Sequence, residues 1–277
     1  MDYKRKIDLA IKLLRAIPQD GPLELSYSGG KDSDVILQLA KDAGIKFEAI
    51  YKKTTIDPPG TIQHCKENGV RIQPPVMTFF QLIEKKGAPT RRARFCCEVL
   101  KEYKIHDRAI QGIRREESTA RAKRYKEPEF CRLFPKGEKV RVYLPILEWT
   151  LEDEARFIED RGIKLAPVYY DEKGAVHVER RLGCIGCPLA SNARAEFKRY
   201  PGMLKAWIRA ANKYLKSHPD CSAAAKFGDG WHMMTHNLFF NTYEDYHNVF
   251  GAAQLFSDEA PDAKAFLERY FNYDFSL

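Results

Sequence analysis

The sequence predicts an α/β fold in which helices flank a parallel sheet and a mainly helical region follows. Two observations support this prediction. Strand-like runs alternate with amphipathic helical runs up to about residue 163, as in successive βαβ units. Beyond that residue the chain becomes first loop-rich and then helical and rich in aromatic residues. We therefore expect an α/β domain over residues 1–180 and a second region over residues 181–277.

The individual elements follow from local periodicity and from capping residues. The first strand, 23–28, alternates apolar and polar residues, and a glycine-rich turn leads from it into a helix at 33–44, which Gly44 ends. An amphipathic helix at 151–162 closes this region. The other strands are predicted at 46–53, 70–76, 107–113 and 139–146, and the other helices at 5–17, 61–69 and 79–87.

Composition and charge narrow the class of protein. The chain has 277 residues, of which 44% are hydrophobic and 30% charged, as is typical of a globular protein. Its net charge of +8 favours anionic partners such as nucleotides or nucleic acid. No apolar run approaches the roughly 18 residues needed to span a membrane, and the N-terminal stretch lacks the apolar core of a secretory signal. We expect a cytoplasmic protein with no membrane partner.

The stretch SGGKDS after the first strand predicts an anion-binding turn. It consists of Ser28, Gly29, Gly30, Lys31, Asp32 and Ser33. Adjacent glycines let the backbone approach a phosphate closely, and the start of the following helix favours an anion. Asp32 would repel a phosphate unless it caps the helix or meets Mg²⁺, which indicates a metal-chelated nucleotide. The alternative is a glycine turn that binds nothing.

Four of the seven cysteines form two pairs, Cys96 with Cys97 and Cys184 with Cys187, the second as C-x-x-C. Thiolates select soft metals, and four of them suit Zn²⁺ or an iron–sulfur cluster. Because successive side chains diverge, adjacent cysteines rarely serve one tetrahedral Zn²⁺, and a cluster is the preferred interpretation. A redox-active C-x-x-C and a buried, apolar Cys-Cys pair are the alternatives.

Together these motifs resemble the iron–sulfur type of the phosphoadenylylsulfate (PAPS) and adenylylsulfate (APS) reductase family, within the PP-loop ATP pyrophosphatase superfamily. TTIDPPGTIQHC after the second strand and GIRREES after the fourth resemble further family segments, and the resemblance covers roughly residues 20–200. It implies an adenine nucleotide alpha hydrolase-like fold and a loop that holds ATP with Mg²⁺, or else APS or PAPS. It also implies a 4Fe-4S cluster on Cys96, Cys97, Cys184 and Cys187.

The resemblance further implies roles for single residues. Lys31, Asp32 and Arg114 are the expected catalytic residues, with Arg114 neutralising charge on the reacting phosphate. Glu117 would pair with an arginine or help to hold Mg²⁺, and Arg121 is a further candidate for phosphate contact. The nucleotide is expected to contact Ser28, Gly29, Gly30, Lys31, Asp32, Ser33, Thr54, Thr55, Gly112, Arg114 and Glu117.

Two departures from the family pattern bear on the reaction. Reductases of the family carry a nucleophilic cysteine near the C-terminus in an E-C-G-I/L-H motif, which this sequence lacks, and no cysteine follows Cys221. The intact SGGKDS resembles the loop of ATP-cleaving members. We therefore expect ATP-dependent adenylylation coupled to sulfur transfer. Two alternatives stay open: thiol-dependent reduction of APS or PAPS to sulfite through Cys221 or Cys65, and a non-catalytic nucleotide and redox sensor.

The expected partners are an adenine nucleotide, a nucleic-acid or small-molecule sulfur acceptor, and an electron or sulfur donor protein. His232 and His236 stand one helical turn apart, a spacing that can chelate a metal. The neighbouring aromatic residues favour packing as their role.

Overall fold

The computed structural model describes residues 2–134, 137–251 and 261–276. The chain divides into two units, each built from several segments. Met1–Lys53, Asp57–Pro75 and Leu100–Gly183 are assigned to the first unit, and Thr54–Ile56, Val76–Val99 and Cys184–Leu277 to the second. The two-part division at residue 180 that the sequence suggested stays a prediction.

A six-stranded sheet forms the centre of the first unit. Its strands are β1 Leu23–Tyr27, β2 Glu48–Lys52, β3 Arg71–Gln73, β4 Arg108–Gln111, β5 Glu129–Leu133 and β6 Lys139–Tyr143. Their spatial order is β3-β2-β1-β4-β6-β5. Every neighbouring pair is parallel except β5 and β6, which are antiparallel. The predicted α/β fold with a mostly parallel sheet is therefore confirmed.

Two differences from the predicted strands have a clear physical cause. β5 was not predicted, because it is an edge strand whose side chains alternate between exposed and half-buried and include the charged Glu129 and Arg132. Charged side chains of this kind are typical of exposed sheet edges. β3 ends earlier than predicted because Pro74 and Pro75 have no backbone N–H with which to extend the ladder.

Helices of the first unit share its apolar core with the sheet. They are α1 Tyr3–Arg15, α2 Lys31–Ala43, α3 Thr61–Glu67, α6 Thr119–Arg124 and α7 Leu151–Asp160, with short 3₁₀ turns at Arg115–Glu117 and Pro167–Tyr169. α2 packs against both α1 and α7. Leu25 of β1, Ile36 of α2 and Phe157 of α7 are fully buried in the resulting core. α2 is thus fixed on both sides where it follows the glycine-rich loop.

The second unit is helical, which confirms the predicted helical C-terminal region. Its helices are α4 Phe79–Lys86, α5 Phe95–Leu100 (except its last residue), α8 Ala193–Arg199, α9 Pro201–Ser217, α10 Ser222–Phe227, α11 Gly230–Phe239, α12 Tyr243–Phe250 and α13 Ala263–Phe271. α4 packs against α9, where the rings of Phe79 and Trp207 lie 4.7 Å apart. None of the helices in the described segments is long and apolar enough to cross a membrane.

Aromatic residues of the second unit pack mainly with one another. The ring of Tyr246 stacks on that of Phe250, and both residues are buried. Nδ1 of His232 lies 2.6 Å from the hydroxyl oxygen of Tyr246, and the ring of His236 meets that of Tyr246 edge to face. These contacts support the packing role of His232 and His236.

Candidate functional site

The glycine-rich loop lies at the carboxyl end of β1 and leads directly into α2, which begins at Lys31. Gly29 has a φ of +76°, a backbone conformation that residues with a side chain rarely adopt. A Cβ added there would lie 3.0 Å from Cγ2 of Thr61, so the chain is also crowded at this point. The first glycine is therefore required for the turn, and the helix N-terminus that follows favours an anion.

Hydrogen bonds within the first unit hold the loop in one conformation. The hydroxyl of Ser33 donates to the carbonyl of Gly30 at 2.6 Å and lies 3.2 Å from the hydroxyl of Ser28. The backbone N–H of Lys31 donates to the hydroxyl of Tyr169 at 3.1 Å. The loop is thus organised by its own residues and by Tyr169.

Four ionisable side chains meet beside the loop. The carboxylate of Asp32 lies 3.0 Å from Nζ of Lys31 and 2.9 Å from Nε of Arg114. Oε2 of Glu154, on α7, lies 3.3 Å from each of the same two cations. The side chains of Lys31 and Arg114 are only 6% and 5% exposed, and that of Glu154 is fully buried. Because buried charges are costly unless they are paired, the four groups depend on one another.

The two carboxyl groups of this cluster differ in protonation. Burial raises the pKa of Glu154 to about 8; the charge of Asp32 adds to the rise, and Lys31 and Arg114 oppose it. Burial also acts on Asp32, but Lys31 and Arg114 outweigh it and hold the pKa of Asp32 below its ordinary value. The negative charge therefore resides on Asp32, and Glu154 is mostly protonated at neutral pH.

Two further predicted residues, Gly112 and Arg114, follow β4 and contact the loop. Because β1 and β4 are parallel neighbours, their carboxyl ends lie side by side, where ligands of parallel sheets bind. Gly112, just after β4, is packed on the loop backbone: a Cβ there would lie 2.8 Å from the carbonyl oxygen of Asp32. Arg114 follows two residues later and reaches Asp32 as described above.

Glu117 is held by arginines. Its Oε1 forms an ion pair with Arg121 and accepts a hydrogen bond of 3.3 Å from the backbone N–H of Arg114. Its Oε2 lies 3.0 Å from the guanidinium of Arg181. Of the two roles expected for Glu117, the structure supports pairing with arginine.

The four predicted metal-ligating cysteines all belong to the second unit. Cys96 and Cys97 stand in the first turn of α5. Cys184 and Cys187 frame a turn in which Gly186 has a φ of +74° and the N–H of Cys187 donates to the carbonyl of Cys184 at 3.1 Å. All four are half-buried. Over the described ranges, no group of three or more His, Cys, Asp or Glu residues has the arrangement of a metal site.

Two of these thiols, Cys96 and Cys187, nevertheless have a raised pKa. The pKa of Cys96 is raised by a hydrogen bond with Cys97, by burial, and by negative charge on Cys97 and Cys184. The pKa of Cys187 is raised by burial and by negative charge on Cys184 and Cys97. Thiolates that repel one another in this way are stabilised by a bound cation. The chemistry of this donor set fits a soft metal or an iron–sulfur cluster, and cluster binding stays a prediction.

Thr54 and Thr55 lie with the cysteines in the second unit. Oγ1 of Thr54 is 3.5 Å from Sγ of Cys184. Thr55 has a φ of +69°, and its Oγ1 accepts a hydrogen bond of 2.9 Å from the first backbone N–H of α4. The carbonyl of the next residue, Ile56, accepts from the N–H of Ile185 at 2.9 Å. The segment after β2 is thus bonded to the C-x-x-C turn, and its expected contact with a nucleotide stays a prediction.

Sequence reasoning missed Glu154 and Tyr169. One signal for Glu154 was available, because it occupies the apolar face of its helix, three and four residues before the buried Phe157 and Ile158. A carboxyl group on such a face needs a buried partner. Tyr169 lies in a loop-rich stretch with no regular period, and nothing local distinguishes its hydroxyl from that of other tyrosines.

The sequence pattern of the phosphoadenosine phosphosulfate reductase domain matches residues 22–190, more than half of the chain. The chain belongs to this family. The matched range contains the SGGKDS loop, the Gly112–Arg114 segment, Glu154 and both cysteine pairs. The family predicted from the motifs is thereby confirmed, and its iron–sulfur type stays a prediction.

Proteins from several organisms are similar to this chain in sequence or in structure. An uncharacterized protein of Methanocaldococcus jannaschii is 31% identical over 209 residues, which cover 69% of this chain and 48% of that protein. Sulfate adenylyltransferase subunit 2 of Hahella chejuensis is 29% identical over 194 residues, covering 56% and 62%. The crystal structure of a PAPS reductase from Candida auris has a TM-score of 0.44 at 14% identity, covering 66% and 91%. The chain therefore matches less than two thirds of the length of these two curated relatives.

Replacing Gly112 by alanine should destabilise the first unit by about 1–3 kcal/mol, because the added methyl group would overlap the backbone of Asp32. Urea unfolding monitored by tryptophan fluorescence measures this loss. Gly21→Ala is the matched control, since nothing lies within 4 Å of a Cβ at that position, and its effect should stay below about 0.5 kcal/mol. Equal losses for the two variants would contradict the packing of Gly112 on the loop.

Proposed function

We propose that the protein is an ATP-dependent enzyme that adenylylates an acceptor and couples this step to sulfur transfer. The observation that carries the proposal is the buried cation pair, Lys31 and Arg114, beside an intact SGGKDS loop at the start of α2. Two fixed positive charges at a helix N-terminus suit the phosphates of a nucleotide. The similarity to a sulfate adenylyltransferase subunit supports adenylyl chemistry.

The loop would receive the pyrophosphate portion of ATP with Mg²⁺. Lys31 and Arg114 would bind its oxygen atoms, and Ser28 and Ser33 would donate their hydroxyl groups. Asp32 keeps its negative charge and would hold Mg²⁺ through oxygen ligands. A role for Asp32 in holding Mg²⁺ explains why an acidic residue stands inside a phosphate-binding loop.

The proposed reaction has two steps. In the first, an oxygen atom of the acceptor attacks the α-phosphorus of ATP, a bond from that oxygen to phosphorus forms, and pyrophosphate leaves with the electrons of the broken P–O bond. Lys31 and Arg114 neutralise the charge that develops on pyrophosphate. In the second, a sulfur nucleophile from a sulfur donor protein attacks the activated carbon of the acceptor, and AMP leaves with the C–O electrons. Neither step needs an oxidant or a reductant when the donor supplies sulfur at the level of sulfide.

Cys96, Cys97, Cys184 and Cys187 would hold a 4Fe-4S cluster. Four half-buried thiols lie in one unit, and the raised pKa values of Cys96 and Cys187 support this assignment. The cluster, when bound, would supply a site that binds or activates sulfur. The acceptor would be a nucleic acid or a small molecule, and the net charge of +8 suits an anionic one.

Reduction of APS or PAPS is the competing function, and the structure gives it little support because it needs a nucleophilic thiolate. Cys65 is fully buried, and burial raises its pKa to about 12. The sulfur of Cys221 caps α10 by accepting a hydrogen bond of 3.3 Å from the N–H of Ala224. A third function, nucleotide and redox sensing, differs from both in requiring no turnover.

Lys31→Gln should weaken binding of Mg–ATP by about 100-fold, because one charged phosphate partner is removed. Titration calorimetry measures this affinity, and pyrophosphate release measures turnover. Lys41→Gln is the matched control, since Lys41 lies exposed in the last turn of the same helix and should bind as the wild type does. Parallel titrations with APS and PAPS separate the competing functions. Tight binding of APS or PAPS without ATP cleavage would contradict the proposal and favour the reductase.

Serine in place of any one of the four paired cysteines should reduce the iron bound after anaerobic reconstitution by at least about half, because a cluster with a weakened ligand set is lost. Iron and acid-labile sulfide analysis, together with the visible absorption spectrum, measure this loss. Cys131→Ser is the control, because Cys131 is exposed on β5 in the first unit. Full iron content in Cys97→Ser and Cys184→Ser would rule out the cluster.

A further inference from the structure

A cavity of about 220 Å³ lies on the face of the sheet that is turned away from α2. Leu25 of β1 belongs to the core shared with α2, so the alternate residues Glu24 and Ser26 point to the opposite face, where they line the cavity. Every residue that lines it belongs to the first unit. The cavity extends along β1 from Glu24 to Ser28, a distance of about 13 Å.

Glu24 is a buried carboxylate with one oxygen atom left for a ligand. Its side chain is only 4% exposed, and its Oε1 accepts a hydrogen bond of 2.7 Å from the hydroxyl of Ser26 and lies 3.4 Å from Nζ of Lys52. Within the described segments no hydrogen bond or ion pair reaches Oε2, and that atom is not sealed from solvent. Because Glu24 lines the cavity, its Oε2 opens onto it.

Gln111 is the second group available to a ligand. It lines the same cavity from the end of β4, directly opposite Ser26 of β1. Its side-chain amide has no hydrogen-bond partner in the part of the chain that the structure describes. Glu24 stands two residues before Ser26, so Glu24 and Gln111 project from backbone positions roughly 8 Å apart on one face of the sheet. A single ring with two polar edges can bridge them.

The size and charge of the cavity favour a small neutral ligand. Its floor is apolar and includes Ala109, Val140 and Val142. Its volume lies below the roughly 300–1,000 Å³ of sites for drug-sized molecules, so one ring suits it better than a whole nucleotide. An anion would have to displace a carboxylate partner from the cations that line the cavity. Three such ion pairs are Lys52–Glu24, Arg132–Glu102 and Lys104–Asp107.

Glu24 and Lys52 together define the edge that such a ring must present. Oε2 of Glu24 accepts a hydrogen bond, so the ring needs an N–H group there. The ammonium group of Lys52 has three donor hydrogens, of which one serves the carbonyl of Tyr103 at 2.7 Å and one faces Oε1 of Glu24. The third is left for an acceptor beside that N–H. An N–H next to a carbonyl oxygen is the edge of a lactam, as in uracil.

We propose that this cavity binds a neutral heterocycle of the nucleobase type through its lactam edge. The N–H of the ring would donate to Oε2 of Glu24, its carbonyl oxygen would accept from Nζ of Lys52, and Gln111 would bond its other polar edge. A glutamate in a central strand goes against local preference, and such exceptions are expected at functional positions. None of these three residues is proposed to hold phosphate, so the inference stands independently of the proposed function.

Titration calorimetry of the full chain with uracil, without nucleotide, tests this proposal. We expect saturable binding of uracil. 1,3-Dimethyluracil keeps the ring and both carbonyl groups but has no N–H, and it should bind at least about tenfold more weakly. Absence of saturable uracil binding, or equal binding of the two compounds, would overturn the proposal. So would tighter binding of adenine that Mg–ATP abolishes, because the cavity would then hold the base of the nucleotide.

A competition experiment distinguishes the two sources of such a ring. If single-stranded oligouridylate displaces uracil, the cavity takes its base from a nucleic acid. If only free uracil occupies it, the ligand is a small molecule. Either result supports the lactam site.

Two variants separate ligand binding from a structural role. Gln111→Leu should weaken uracil binding at least about fivefold and unfold at the wild-type temperature, because its amide has no protein partner to lose. Gln63→Leu is the matched control, since Gln63 is exposed on α3 and should bind uracil as the wild type does. Glu24→Gln should weaken uracil binding by about tenfold or more. Wild-type uracil affinity in Gln111→Leu and Glu24→Gln would show that Glu24 only pairs with Lys52 and would overturn the proposal.

Discussion

Two buried cations held between two carboxyl groups are the interaction on which the first unit depends at its functional end. Lys31 starts α2, Arg114 follows β4, and Glu154 lies on α7, so the cluster ties three separate elements to one point. A charge removed from water is tolerated only with close partners, and here the partners are drawn from α2, from the segment after β4 and from α7. Gly112 contributes to this cluster, because the absence of a side chain lets the segment after β4 pack against the backbone of Asp32. The fold thus assembles a concentrated positive charge that the isolated loop would lack.

In the second unit, four cysteines from two distant parts of the chain are brought together. Cys96 and Cys97 come from the start of α5, and Cys184 and Cys187 come from a turn almost ninety residues later. The short segment after β2 fastens that turn through Thr54 and Ile56. Because neighbouring thiolates repel one another, the grouping of these cysteines makes chemical sense when a metal centre carries compensating positive charge.

Much of this arrangement could be predicted from the sequence, and the rest could not for physical reasons. The parallel strands, the loop and the cysteine pairs follow from local patterns of period, glycine and spacing. β5 was missed because an exposed edge strand with charged residues has no apolar signal. Tyr169 and the pairing of Glu117 with Arg181 depend on contacts over long sequence separations, which local periodicity does not encode. Glu154 is the intermediate case, since its place on an apolar face was visible but its partners were not.

The central claim is that the Lys31–Arg114 pair receives the phosphates of a nucleotide, and a crystal structure of the protein with Mg–ATP tests it most directly. The account predicts phosphate oxygen atoms within hydrogen-bond distance, about 3 Å, of Nζ of Lys31 and of the guanidinium of Arg114. It also predicts Mg²⁺ on the side of Asp32. A nucleotide bound elsewhere, with both cations still engaged only by Asp32 and Glu154, would contradict the claim.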